Sequence, residues 1–526
     1  MPHTREKILA LFILAAVLVV NVIGLSPELT ISRVDLNDNV FHYPLVAGTV
    51  DAIEHGHDPF DWWAPEWDLG YPVMRTYQGL GHLLVAMVYF ALFKSVPLMT
   101  VFIWVRFFSV LLVPLTFFIT ARLLSLSWLT AAAAAMLAPL VSNNGLYGLE
   151  YGSYLWAGTG LFTQAIATHF LLLTVGVAYR ALRRGVLVSV AGLLLGLTFL
   201  AHFIFGYMGA LTICLLALIP DAEVSRAVRL GRTLWIAAVA LCVSAFELIP
   251  MLRDGAIINH SRWENAWKWD SFGAGRVLKL LFTGDVLDHD RLPVFSLLAA
   301  AGVFVYLRGL EDRKRPYPAR TFIVSGAALW ILMFFGRPFW GPLMTLAGVS
   351  PDMQLHRVVS GAQLFLVLLA AIGLAAIWRV LSRRAHFVAA VAVAVILFSP
   401  MVAERARYLL NNNRWGRASL AAYEANRTSI DTATGIARDR GGRAYAGLPL
   451  TWGGPFKIGE MAFYSFLSTA RVPALSFMYH SLSLPSEVMT RFNDQSAAEY
   501  RLFNIRTVIA PAKLALPDFL TPILEN

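Results

Sequence analysis

The chain has 526 residues, of which 57% are hydrophobic and only 14% are charged. A soluble chain of this length carries about a quarter of its residues charged, so a soluble multidomain enzyme, a disordered chain, a collagen and a disulfide scaffold are excluded. The net charge of +10 suggests nucleic acid until it is mapped along the chain, where it becomes mainly a signal of membrane topology.

A helix needs roughly 17–25 apolar residues to cross about 30 Å of hydrocarbon. Eleven runs approach this, at 8–24, 96–120, 126–141, 161–179, 186–201, 203–219, 233–250, 292–307, 321–336, 358–378 and 386–402. The first has the charged start and apolar core of a signal peptide. No small-residue cleavage site follows, since Leu25, Ser26 and Pro27 come next, and an uncleaved helix is expected. The run 79–93 (GLGHLLVAMVYFALF) is a candidate twelfth span. Charge decides against it, because Lys and Arg gather in cytoplasmic loops. With 79–93 left outside, the inner segments hold 17 basic and 5 acidic residues, and the outer loops before residue 402 hold 11 basic and 17 acidic. Counting 79–93 as a span would exchange every later loop. It is therefore read as a helix lying in the interface, with Leu80, Leu83, Leu84, Met87 and Val88 toward lipid. The N-terminus is expected inside and the C-terminus outside.

Three outer regions are large: loops 25–95 and 251–291, and a tail of 124 residues at 403–526. The expected organisation is a transmembrane domain over 1–402 and a small extracytoplasmic α/β domain over 403–526. In the tail, 417–440 has a helical pattern, and 442–448 and 505–511 read as buried strands bounded by Gly and Pro. The chain stops soon after the second strand with no closing element, so a truncated domain is expected. Cys214 and Cys242 lie in apolar runs and point to neither redox nor zinc chemistry.

No phosphate-binding glycine loop, dinucleotide fingerprint or H-E-x-x-H occurs, which disfavours nucleotide hydrolysis and a nucleotide cofactor. The first outer loop is the richest stretch. Asp35, Asp38 and His42 follow the first helix, with Asp38 near the start of a helix expected at 43–55 whose apolar stripe is Val46, Val50 and Ile53. A carboxylate at a helix start stays ionised. Asp38 is then a general base, a ligand for a divalent cation, or simply an N-cap. Asp61, Trp62, Trp63, Glu66, Trp67, Asp68 and Tyr71 come next. Aromatic faces pack on the C–H faces of sugars while carboxylates accept hydroxyl hydrogen bonds, although Trp and Tyr are also interfacial anchors.

Further polar residues stand at outer helix ends: Glu150, Tyr151, Gln164, His202, Glu247, and His260, Arg262, Trp263, Trp267 and Trp269. Arg106 falls near the middle of the second span, where a cation is costly and needs a partner; Glu247 is one candidate. Arg337, His356 and Arg357 lie outside in the stretch 334–365. The two arginines either clamp a phosphate bidentately or are ordinary interface residues.

A multispan chain with a large acidic loop after its first helix resembles the GT-C superfamily of membrane glycosyltransferases. More closely it resembles a prokaryotic branch of GT-C-like proteins known as 6-pyruvoyl-tetrahydropterin-synthase-related. The motifs that carry the likeness are Asp38-x-x-x-His42, Trp67-Asp68-Leu69-Gly70-Tyr71-Pro72, His202 at a helix junction, and Gln354-Leu355-His356-Arg357. In the last, Leu-His stands where the branch has Phe-Pro-Trp. The likeness covers residues 1–400. It implies an inverting transferase that takes a sugar from a polyprenyl phosphate and passes it to a glycan or glycolipid. Asp38 would be the base, with Asp35 second, and Arg357, Arg337 and His356 would hold the departing phosphate. His42, His202, Glu150 and the Trp62–Asp68 cluster would shape the sugar or acceptor site. Asp35 and Asp38 leave open a divalent cation (Mg, Mn or Ca). Membrane lipid is an expected partner and nucleic acid is not. A lipid-borne donor keeps its phosphate at the membrane surface, so its catalyst needs a carboxylate and cations at one depth, outside. The competing readings are a transporter or lipid flippase, which predicts related halves and mid-membrane polar residues, and a non-catalytic envelope assembly protein.

Overall fold

The computed structural model describes residues 3–33, 37–66, 69–255, 265–310, 318–384, 387–476 and 488–525. Asp35, Trp67, Asp68, His260, Arg262 and Trp263 lie outside the described residues. Two compact units form. The first comprises Met1–Pro27, Arg106–Ala245 and Asn265–Asn411; the second comprises Glu28–Val105, Phe246–Glu264 and Asn412–Asn526.

Each of the apolar runs is helical, the run 96–120 as two helices, Leu98–Leu111 and Val113–Leu123. In chain order with the other helices they are α1 (His3–Leu25), α2 (Asp38–Glu54), α3 (Leu80–Ala91), α4 (Leu98–Leu111), α5 (Val113–Leu123), α6 (Trp128–Leu137), α7 (Phe162–Arg184), α8 (Val188–Ala201), α9 (Phe203–Leu218) and α10 (Arg226–Arg253). Then follow α11 (Ala266–Asp270), α12 (Gly273–Thr283), α13 (Val294–Leu310), α14 (Pro318–Phe334), α15 (Arg337–Trp340), α16 (Leu343–Leu346), α17 (Val359–Arg384) and α18 (Phe387–Asp439). Among the described residues, four helices are long and apolar enough to cross a membrane, at α1, α7, α10 and α17, or five if the bent pair α4–α5 counts as one. The chain is an integral membrane protein. Six further apolar helices have 10–17 residues.

Burial separates the long helices. In α7, 78% of the apolar window is buried, against 22% in α10. Unburied apolar residues such as Leu234, Trp235 and Leu241 on α10 need lipid rather than water around them. Without a hydrophobic drive between helices in lipid, close packing holds them together, and small residues permit it. A Cβ on Gly302 of α13 would lie 2.0 Å from the Leu369 carbonyl oxygen of α17, and one on Gly373 of α17 would lie 2.1 Å from that of Leu298. Those two glycines let the backbones touch. The break between α4 and α5 has a chemical cause. Pro114 lacks the N–H that the Val110 carbonyl would receive, and the Tyr151 hydroxyl donates to that carbonyl instead at 3.1 Å.

The second unit begins with α2, whose start at Asp38 precedes the expected one at 43. Asn37 supplies the cap: its Oδ1 accepts the Asn39 N–H at 3.0 Å. Val40 and Phe41 are already buried, so the helix is anchored before Pro44 is reached. In α3 the buried residues are Gly81, His82, Val85 and Ala86, on the side away from the leucines expected to face lipid.

The expected span 386–402 and tail helix 417–440 are parts of one uninterrupted helix, α18. Beyond it, β1 (Arg443–Tyr445), β4 (Ala474–Leu475) and β5 (Ile505–Val508) form a parallel sheet in the order β4-β1-β5, and β2 (Lys457–Ile458) pairs antiparallel with β3 (Met461–Ala462). α19 (Phe463–Thr469) packs on α2, and α20 (Ala497–Leu502) precedes β5. Tyr445, Leu475, Phe492, Tyr500 and Ile505 make the core here, with Leu69 of the long segment after α1 packed against it. The Arg443 guanidinium donates to the Leu69 carbonyl at 2.9 Å. First loop and C-terminal segment thus share one core.

Candidate active site

In the second unit, Asp38 occupies the first turn of α2 and is partly buried. The capping bond belongs to Asn37, so Asp38 is not the N-cap. His42 follows one turn later and is buried, with Nδ1 3.0 Å from Nε2 of His82. One ring must donate and the other accept, so at least one is neutral. Burial pushes His82 down to about 3, which makes it neutral at ordinary pH. Phe41 and Tyr77 enclose the pair. His82 carried no signal in the sequence beyond being a lone histidine in an apolar run.

The tandem tryptophans part company. Trp62 is buried on α2, where a Cβ on Gly48 would strike its ring at 2.2 Å. Trp63 is 58% exposed. Glu66 is buried, with Oε1 3.3 Å from Nε of Arg471. Burial raises its carboxyl above the usual range, and Arg471 opposes the rise. Arg471 also reaches Asp51 at 3.4 Å and stands 5.7 Å from the Trp62 ring centroid. The sequence offered no link between Arg471 and a loop some 400 residues earlier.

In the first unit the cations meet around Tyr147. Arg357 donates from Nη1 to Gln164 Oε1 at 2.8 Å and from Nε to Gln354 Oε1 at 3.0 Å. Its guanidinium carbon is 5.4 Å from the Tyr147 ring centroid, and Lys268 Nζ is 5.3 Å from the same centroid. His356 donates through Nδ1 to the Lys268 carbonyl at 2.7 Å, and its ring packs edge-on against Tyr147 and Trp267. The sequence named His356 and Arg357 but missed Lys268 and Tyr147. The W-K-W pattern at 267–269 was the available signal, a lysine flanked by interfacial aromatics.

Arg337 has a different set of partners. It donates to the Trp269 carbonyl at 2.6 Å and to the Ser350 carbonyl, and lies 3.4 Å from Asp270. Two of these bonds go to backbone carbonyls and tie Arg337 to α11 and to Ser350. His202 ends α8 and begins α9 in an extended conformation, buried beside Phe205. Glu150 is fully buried; its Oε1 accepts from the Ser153 hydroxyl at 2.9 Å and the Gly148 N–H at 3.1 Å. Burial raises its carboxyl above the usual range. Gln363 holds the same loop, accepting the Leu149 N–H at 2.6 Å. Gln164 donates to the Tyr147 carbonyl at 2.8 Å. The loop that carries Tyr147 is therefore fixed by neutral amides and one acid. Arg106 donates to the Tyr154 carbonyl at 2.8 Å and stacks on Trp156; Glu247 accepts the Gly79 N–H at 2.8 Å.

A divalent cation needs several hard oxygen ligands. Among the described residues no group of three or more His, Cys, Asp or Glu side chains lies together, and Asp35 is outside them. The described residues by themselves do not supply a ligand set for a cation.

No protein-family model matches the chain, and no curated protein does. Solved structures do. The archaeal oligosaccharyltransferase AglB of Archaeoglobus fulgidus, in complex with an inhibitory peptide and a dolichol-phosphate, aligns with 96% of this chain and 69% of its own, at TM-score 0.59 and 11% identity. The Archaeoglobus fulgidus oligosaccharyltransferase in complex with Zn and sulfate aligns with 95% of this chain and 67% of its own, at TM-score 0.57 and 14% identity. The mycobacterial arabinofuranosyltransferase AftD aligns with 96% of this chain but 36% of its own, at TM-score 0.56 and 17% identity. All three are GT-C glycosyltransferases.

The chain has the GT-C fold. At these identities the likeness extends to fold, and function has to be argued from the residues.

Proposed function

We propose that this GT-C-fold protein is an inverting glycosyltransferase that moves a sugar from a polyprenyl-phosphate donor to a glycan or glycolipid on the extracytoplasmic face. The N-terminus is cytoplasmic in this reading and the C-terminal segment extracytoplasmic. The observation that carries it is Arg357. Arg357 is 9% exposed, its two hydrogen bonds go to neutral glutamine oxygens, and among the described residues no carboxylate pairs with it. A buried charge without a counter-charge is costly. A phosphate would supply that counter-charge, and a guanidinium edge matches it. Lys268, on the same aromatic ring, adds a second positive charge. The lipid phosphate bound by AglB is the kind of ligand this cluster suits.

Asp38 supplies the other half of the chemistry. Its carboxylate takes the proton of the acceptor hydroxyl. The hydroxyl oxygen attacks the anomeric carbon as the bond from that carbon to the phosphate oxygen breaks. The electron pair leaves on the phosphate, where Arg357 and Lys268 stabilise it, and attack opposite the leaving group inverts the centre. His42, one turn along α2 from Asp38 and hydrogen-bonded to His82, would shape the sugar or acceptor site beside it.

The test is transfer from a panel of radiolabelled polyprenyl-phosphate sugars. Asp38→Asn should lower turnover about a thousandfold, within the range of general-base catalysis, and leave donor binding intact. Turnover that the variant retains removes Asp38 from the mechanism. Vectorial movement of the lipid without transfer identifies a flippase instead.

A further inference from the structure

A cavity of about 530 Å³ lies entirely within the second unit and is lined by Asp61, Trp62, Trp63, Arg75, Arg253 and Asp254, with Pro72. Its size falls within the ordinary range for small-ligand sites, about 300–1,000 Å³.

Its charges form an alternating chain. Arg75 donates from Nε and Nη2 to both oxygens of Asp61, at 2.7 and 2.6 Å, and from Nη1 to Asp254 at 3.2 Å. Arg253 donates to both oxygens of Asp254, at 2.8 and 3.0 Å. Two cations and two anions cancel, so the wall is polar and neutral. Hydrogen bonding to Arg75 holds the Asp61 carboxyl below its usual range, and that to Arg253 does the same for Asp254. Both stay ionised, with lone pairs to spare for hydroxyl donors.

Beside this wall stands Trp63. One side of its indole rests on Gly70, where a Cβ would lie 2.4 Å from the ring and where φ is +97°. Only glycine fits there without strain. The ring is thus fixed on one side and open on the other. An aromatic face next to a neutral row of fixed acceptors and donors matches a sugar: C–H bonds on the ring face, hydroxyls on the edge. A phosphate or an anionic lipid would instead call for uncancelled positive charge.

We propose that this cavity is a subsite for a neutral oligosaccharide, the non-reacting part of the acceptor glycan, with Trp63 as the stacking platform and Asp61, Arg75 and Asp254 as the hydroxyl readers. The proposal rests on the glycosyltransferase reading above.

Isothermal titration of the full-length protein in nanodiscs with mannohexaose, arabinohexaose and cellohexaose tests it. At least one should bind the wild type. Trp63→Ala should weaken that binding about tenfold, a change of roughly 1.4 kcal/mol, whereas Trp63→Phe should keep it within about threefold. Asp254→Asn, with its exposed ion pair, should weaken it a few fold. Binding by none of the three sugars, or binding that Trp63→Ala leaves unchanged, overturns the subsite. So does a Trp63→Ala variant whose sole change is in association with lipid, which marks an interfacial anchor. The readout needs no turnover. Sugar binding sensitive to Trp63 together with an active Asp38→Asn variant would refute the catalytic reading alone; demonstrated transfer with sugar binding indifferent to Trp63 would refute the subsite alone.

Discussion

The carboxylates around Trp62 and Trp63 and the cations around Tyr147 treat charge in opposite ways. In the first group every described acid has an arginine: Glu66 has Arg471, Asp61 has Arg75, and Asp254 has Arg253. Around Tyr147, Arg357 has two amide oxygens and an aromatic ring. Paired charges of the first kind build a wall that offers hydrogen bonds with little net field. A guanidinium held by neutral groups keeps its field, and an arriving anion feels it. The contrast is why neutral sugar is proposed for one region and phosphate for the other.

The largest way to break this contrast on the acidic side is Arg471→Gln. It leaves Glu66 buried without its cation, and a broken buried pair costs about 3 kcal/mol. Chemical denaturation of the purified protein should register that loss; a variant as stable as the wild type would mean that Glu66 and Arg471 are independent. A smaller effect sharpens the same point. Burial holds the folded-state Glu66 carboxyl above its usual range, so the folded chain binds that proton more tightly than the unfolded one. The resulting contribution to stability is full below the ordinary glutamate pKa and is lost as pH rises through the raised one. Glu66→Gln removes the titration. Thermal unfolding between about pH 5 and 8 should therefore decline less with rising pH in the variant than in the wild type. An identical slope would place Glu66 in a more solvated setting than its burial indicates.

Much of the fold was legible because lipid imposes a simple rule: each apolar run long enough to need burial or lipid became a helix. The start of α2 was misplaced because Pro44 reads as a helix beginning, while the capping Asn37 and the buried Val40 and Phe41 carry a weaker pattern. The continuity of α18 was hidden by a change from apolar to polar composition near residue 402, which marks a change of surroundings rather than a break in the backbone. Among the candidate residues, Asp38, His42, Trp63, His356 and Arg357 were visible as unusual residues in the polar segments between apolar runs. Lys268, Tyr147 and Arg471 were not, because their meaning lies in contacts between segments distant in the chain, and one sequence carries no record of those. Arg337 illustrates the converse. It looked equivalent to Arg357 by type and position, yet it bonds to the backbone of α11 and to that of Ser350.

The most direct measurement is retention of polyprenyl phosphate by the purified protein in nanodiscs, followed by native mass spectrometry for the wild type, Arg357→Gln and Asp38→Asn. Hydrogen bonds to a charged partner contribute about 1.5–3 kcal/mol each, so Arg357→Gln should weaken retention by about ten- to a hundredfold. Asp38→Asn should retain the lipid as the wild type does. Undiminished retention by Arg357→Gln would contradict the assignment of the phosphate to the Tyr147 cluster.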